Sequence, residues 1–231
     1  MILKLTAIAC VLVALGFGMT AALRRSLPPQ DYVKDKSVVS LSRRAKNEGK
    51  TQVSMPGKII DYPGMNMGLD EALQNYSVVI AELVESKSYI SESADEIATA
   101  YKLRIVESLS QRNAVSCNGC SPVKDVSDKL QPAQYNEFML NLSGGSVTVD
   151  GVEVSMISDR TLKIEDGQRY LMFISFTPGG MARLIGGPSG LFRITHDESL
   201  EAMSDGTHRL AREIAARFSR NLSKFKQAAK R

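Results

Sequence analysis

Between Ser77 and Thr195 the chain is a succession of short apolar runs broken by turn residues, and this pattern restricts the fold more than any other. In "EIATAYKLRIVESL", Ile97, Thr99, Tyr101, Leu103 and Ile105 fall on one face and Lys102 and Arg104 on the other. A period of two over that length predicts a half-buried strand. Ser77 to Glu85 is a β-rich run carrying Val78, Val79, Ile80, Leu83 and Val84. Further on, Phe138, Leu140 and Leu142 alternate, then Val147 and Val149, then Val152, Val154 and Met156 after Asp150-Gly151. Asp-Gly between two alternating runs predicts a hairpin, because both turn residues tolerate positive φ. "GQRYLMFISF" is apolar almost throughout, as a strand buried on both faces is, and "GGMARLIGGPSGLFRIT" supplies two more short strands around a glycine turn. Six to eight short strands with tight turns predict a mainly β fold, an antiparallel barrel or sandwich.

The flanks read differently. From Leu5 to Leu23 no charged residue occurs, and Arg24-Arg25 follows at once, so residues 5–23 are long enough to cross a bilayer as a helix. Residues 1–23 are therefore expected to be a transmembrane signal anchor or a signal peptide. Cys10 lies mid-run as an apolar filler. Residues 24–67 are rich in Lys, Arg, Ser and Pro without a sustained apolar period, the composition of a linker that is either a tether or a partly ordered arm lying on the domain, with "SVVSL" at 37–41 a candidate edge strand. Asp70 is placed to cap a short helix running to Asn75. Beyond the strands, Met203, Leu210, Ile214, Phe218, Leu222, Phe225 and Ala229 recur at threes and fours, predicting one amphipathic helix from about Asp205 to Ala229. Its other face is basic. From Thr207 onward eight basic residues oppose Glu213 alone, a net of +7, whereas the whole chain carries only +4. Basicity belongs to the tail.

The succession "LDEALQNYSVVIAELVES", "ATAYKLRIVESL", "GGSVTVDGVEV", "IEDGQRYLMFI" and "GPSGLFRI" resembles a group of uncharacterised bacterial envelope proteins, over about residues 69–195. The strand plan also resembles the OB-type barrel of netrin-like and metalloproteinase-inhibitor modules. That second likeness implies a fold alone, since those modules rely on disulfides and on an N-terminal mature cysteine that this chain lacks. Neither likeness implies a chemistry.

Candidate sites are few. "SCNGCSP" holds Cys117 and Cys120 two residues apart. A thioredoxin-like site needs such a pair at a helix N-terminus within a βαβ unit, where the dipole lowers the thiol pKa. No βαβ pattern surrounds it, and Ser121-Pro122 would start a helix only after Cys120. A thiolate metal site needs two more ligands, and only His196 and His208 are available. A loop disulfide, a redox switch and a metal site all stay open, in that order of preference. "GGPSG" at 186–190 lacks the Lys-Ser/Thr of a phosphate cradle and reads as a β-turn. His196-Asp197 has no nucleophile motif beside it, and Asp197 reads as a helix-entry residue. Glu85, Glu92, Asp95 and Glu96 lack the loop spacing of a calcium site. Tyr101 with Lys102 and Arg104 hints at oligonucleotide binding, but alternation puts Tyr101 on the opposite face from the two cations. The tail helix is the other candidate: Arg209, Arg212, Arg217, Arg220, Lys224 and Lys226 are placed for contact with anionic lipid or an envelope protein partner, while its apolar stripe packs on the barrel or meets a partner. Nucleic acid is disfavoured for an anchored chain.

The expectation is thus a bacterial inner-membrane protein with four parts: the span at 1–23, the linker at 24–67, an antiparallel OB-like barrel at 68–196, and a basic amphipathic helix at 197–231. The domain is expected outside the cytoplasm, or secreted if the span is cleaved. No complete catalytic constellation, metal set or cofactor motif is present in the sequence, so the expected role is non-catalytic binding or scaffolding. The alternative is a thiol-disulfide redox protein using Cys117 and Cys120.

Overall fold

A computed structural model describes residues 37–57, 62–110, 136–157, 162–176, 181–204 and 206–230, all within one compact unit, Ser37–Arg231. The expected span at 5–23 and the Cys117/Cys120 pair lie outside the described residues. Among the described residues no helix is long and apolar enough to cross a membrane. The elements run α1 (Val38–Asn47), β1 (Gln52–Pro56), α2 (Leu69–Asn75), β2 (Ser77–Ile90), β3 (Ile97–Ser110), β4 (Glu137–Ser143), β5 (Gly145–Val149) and β6 (Val152–Ile157). There follow β7 (Arg169–Phe176), β8 (Met181–Leu184), a 3-10 turn (Gly187–Gly190), β9 (Leu191–Ile194), β10 (Leu200–Ala202), α3 (Arg209–Phe218) and α4 (Leu222–Ala229).

The mainly β class is as the alternation requires, and five strands close into a barrel. β2 pairs with β3, β3 with β4, β4 with β8, β8 with β7, and β7 with β2 again. The expectation of a wholly antiparallel barrel needs correction: β4 and β8 run parallel, with Met139 opposite Met181 and Leu140 opposite Ala182. A hairpin forces antiparallel neighbours, but β4 and β8 are joined through three intervening strands, so the chain can return in the same direction. The interior is filled by Tyr101, Leu103, Phe138 and Leu140, which the alternation picks out, together with Val79, Tyr170 and Met172 from the continuous apolar runs. β2 and β7 are buried on both faces, which is why "SVVIA" and "YLMFI" read as unbroken apolar runs. Their outward residues, Val78, Ile80, Leu171 and Phe173, meet a helical layer made by α2, α3 and α4.

That layer departs from the single tail helix expected. The helix breaks after Phe218, where Ser219 (φ 53°) and Arg220 (φ 59°) both enter the left-handed region, and Asn221 then caps α4 by accepting from the Lys224 N–H at 3.0 Å. The break lets the apolar stripe turn and stay on the barrel. Leu210, Ile214, Phe218, Leu222 and Phe225 are all buried. Phe192, Phe173, Phe225 and Phe218 form a chain of edge-to-face contacts at 6.3, 6.2 and 5.5 Å between centroids. Each such pair contributes about 0.5–1.5 kcal/mol beyond its burial.

Within residues 24–67 the described part carries two ordered elements, α1 and β1, as an arm lying on the domain does. "SVVSL" opens α1 instead of forming a strand: Ser37 is its N-cap and accepts from the Ser40 N–H at 3.2 Å. α1 buries only Val38, Ser42 and Ala45, and the Ser42 hydroxyl donates to Val149 O at 2.6 Å, so its buried face shows no apolar period. β1 pairs in parallel with β6, completing a small sheet β1-β6-β5 whose core is Val38, Met55, Ile97, Val154 and Met156. The expected hairpin is there, with Asp150 (φ 51°) and Gly151 (φ 81°) both at positive φ. Asp70, expected as a cap, sits inside the first turn of α2; Gly68 occupies the cap position and makes no side-chain bond.

Candidate functional site: a groove between the C-terminal helices and the sheet edge

The candidate site grows out of the way α3 and α4 are fastened. Four of their cations are tied to carboxylates. Arg209 pairs with Glu213 at 2.7 Å, Arg217 with Asp70 at 2.6 Å, and Lys226 and Lys230 both reach Glu107 on β3, at 2.6 and 3.0 Å. Arg217 also lies 5.7 Å over the Phe218 ring. Glu213 is shared further, accepting from the Leu69 N–H at 2.7 Å, so that one carboxylate serves both the start of α2 and the flank of α3. The hydrogen bond from Leu69 and then the Arg209 guanidinium hold the Glu213 carboxyl below its ordinary range. Hydrogen bonds from Lys226 and Lys230 do the same for Glu107.

Of the six basic residues singled out in the sequence, Arg209, Arg217 and Lys226 are thus structural fasteners. Arg212, Arg220 and Lys224 have no ion pair among the described residues. Two of these three flank a groove of about 400 Å³ that opens between α3 and the β9–β10 edge. Phe192 and Leu200 contribute its floor from the sheet, Ile214 and Ala215 its bank from α3, and Arg212 and Arg220 its polar rim. The volume falls within the range of small-ligand sites. Its lining residues escape a sequence reading because nothing but small size marks them: Ala211, Ala215 and Ala216 stand beside the apolar stripe where larger side chains would fill the gap.

The amphipathic stripe of the tail is buried against the barrel. What the outer surface offers is charge on a fixed frame. The other sequence candidates resolve as architecture. All four residues of the Gly187–Gly190 turn are buried, and a Cβ at Gly190 would lie 1.7 Å from Ile185 O, so backbone packing and not a phosphate requires the glycine. His196 and Asp197 lie in the turn between β9 and β10, not at a helix start. Asp197 accepts from the hydroxyls of Thr195 and Ser199, which lock that turn and hold its carboxyl low. Lys102, expected on an open face, is buried and pairs with the buried Glu137 at 3.0 Å, with Arg104 at 3.5 Å from the same carboxylate. Tyr101 points into the barrel, where burial raises its phenol pKa. Among the described residues no cluster of three or more His, Cys, Asp or Glu could hold a metal ion.

Comparison of the chain with family models, curated proteins and solved structures finds no match.

Proposed function

We propose that this chain is a membrane-anchored, non-catalytic binding or scaffolding module of the cell envelope, built on an OB-like barrel. The OB-like reading rests on connectivity: a three-stranded meander β2-β3-β4, a parallel return of β8 onto β4, and antiparallel closure through β7 onto β2. The anchor rests on the uncharged run at residues 5–23. The observation that carries the binding role is the division of labour on the tail. Arg217 joins α3 to α2 and Lys226 joins α4 to β3, while Arg212 and Arg220, with no ion pair among the described residues, rim an apolar groove. Uncompensated guanidinium groups beside apolar surface are a recognition feature, since Arg is enriched where partners are held.

The test has two parts. A topology reporter fused after Arg231 is expected to report a position outside the cytoplasm. A photo-crosslinking amino acid at Ala216, on the exposed bank of the groove, is expected to capture a discrete partner in intact cells, while the same group at Lys46 on α1 does not. A cytoplasmic reporter signal removes the envelope assignment. Identical capture patterns at the two positions remove the binding site.

A further inference from the structure

We propose that the open half of the β10 edge and the two arginines beside it dock an extended acidic peptide segment of a partner protein, which adds to β10 as a short strand. This inference rests on the binding-module reading and names the partner's chemistry.

The backbone provides the first argument. Glu201 stands opposite Arg193, and the Met203 N–H donates to Leu191 O at 3.0 Å, so Glu201 and Met203 turn their peptide groups toward β9. In an antiparallel ladder the residues between them face the other way. Those are Leu200 and Ala202. The α3–α4 turn already fills the first half of this outer edge: Leu200 N–H donates to Arg220 O at 2.7 Å, and Leu222 N–H to Glu198 O at 3.1 Å. No backbone bond of this kind reaches Ala202 from another element among the described residues. An incoming strand would continue the line that residues 220–222 begin.

Charge provides the second. Each described carboxylate on the strands and helix around the groove is engaged: Glu198 by Arg169 at 2.5 Å, Glu201 by Arg193 at 2.6 Å, and Glu213 by Arg209 at 2.7 Å. Among the described residues no carboxylate pairs with Arg212 or Arg220 on the rim, and an incoming carboxylate can take either bidentately. The floor of Phe192 and Leu200 accepts an apolar side chain between them. Alternating acidic and apolar residues on an extended chain satisfy all three features at once, as strand addition to an open edge does elsewhere. A lipid surface satisfies fewer, because none of the large hydrophobic residues exposed among the described residues, Val84, Val106 and Ile157, lines the groove.

The full-length chain in a zwitterionic detergent is titrated into fluorescein-labelled hexapeptides that alternate Glu with Val, Leu or Ile, and binding is read by anisotropy. The acidic pool is expected to bind and the matching Lys pool not to. Arg212→Glu and Arg220→Glu are each expected to weaken binding about tenfold, the loss of one charged hydrogen bond. Ala202→Pro is expected to weaken it at least as much. That variant keeps its melting temperature, since proline is tolerated where an edge N–H faces outward. Absence of binding by the acidic pool, or binding indifferent to Ala202→Pro, overturns strand addition. Binding of monomeric dihexanoylphosphatidylglycerol with the same arginine dependence, in place of the acidic pool, assigns the site to a lipid headgroup and likewise overturns it. Continued crosslinking at position 216 alongside either result leaves the module reading standing and removes this inference alone.

Discussion

The ammonium of Lys226 lies 2.6 Å from the carboxylate of Glu107, joining the last helix to the far end of β3, and Lys230 closes on the same carboxylate at 3.0 Å. α4 is a short helix, and these two bonds together with the buried Leu222 and Phe225 hold it down. Glu107→Gln is expected to lower global stability by about 1 kcal/mol or less, because the groups are partly solvated. The larger effect is local. Amide exchange in Leu222–Ala229, measured by hydrogen–deuterium exchange, is expected to rise more than exchange in β2 or β7.

Acid should loosen the same layer. Glu107 and Glu213 are both held below the ordinary carboxyl value of 4.5 by their partners in the folded state. A depressed folded pKa stabilises the fold above the unfolded value, and that contribution disappears as pH falls through the folded values. The melting temperature is therefore expected to be flat with respect to these groups above pH 4.5 and to fall below it. Thermal melts across that range check this, and the acid slope of Glu107→Gln is expected to be shallower than that of the parent chain.

Lys102 and Glu137 form an ion pair with side chains only 8% and 3% exposed, so most of their hydration is lost on folding. Glu137→Gln leaves an ammonium buried beside a neutral amide and is expected to cost about 3–5 kcal/mol. The double variant Lys102→Met, Glu137→Leu removes both charges together and is expected to be far closer to the parent in stability. Urea unfolding of both variants decides it, and equal losses would mean that the pair is not isolated from solvent.

Two glycines make opposite predictions from the same substitution. At Gly190 an alanine Cβ meets Ile185 O at 1.7 Å, so the turn must move, at about 1–3 kcal/mol or more. At Gly151 nothing lies within 4 Å, and the cost of alanine comes only from its φ of 81°, about 1–2 kcal/mol. Gly190→Ala is expected to change the near-ultraviolet spectrum of the core, and Gly151→Ala to lower the melting temperature without doing so.

What the sequence made legible is what local rules govern. Ile97 to Ile105 alternate and form β3, and Asp150-Gly151 makes the hairpin between β5 and β6, because period and turn chemistry act over a few residues. Features that depend on distant neighbours were hidden. The parallel contact of β4 with β8 has no local signature. α1 has the composition of a linker because its buried face includes Ser42, whose hydroxyl is satisfied by Val149 across the fold. Lys102 read as a surface charge until its partner was known. The break at Ser219 and Arg220 uses positive φ at residues that are not glycine, so the tail read as one helix. The rim of the candidate site, Arg212 and Arg220, is legible as basic residues on the face opposite the apolar stripe. Which of them were free could not be read, since that depends on Asp70 and Glu107, both more than 100 positions from their partners.

The closeness of Phe225 to Phe173 sets an order of events in time. The apolar flank of β2 and β7 is sealed by side chains that follow every strand in the chain, Leu222 and Phe225 of α4 among them. While the ribosome still holds those residues, the barrel wall lies open to water and to any other apolar surface nearby. A chain cut after Asn221 would have every described strand and still lack the seal that closes them.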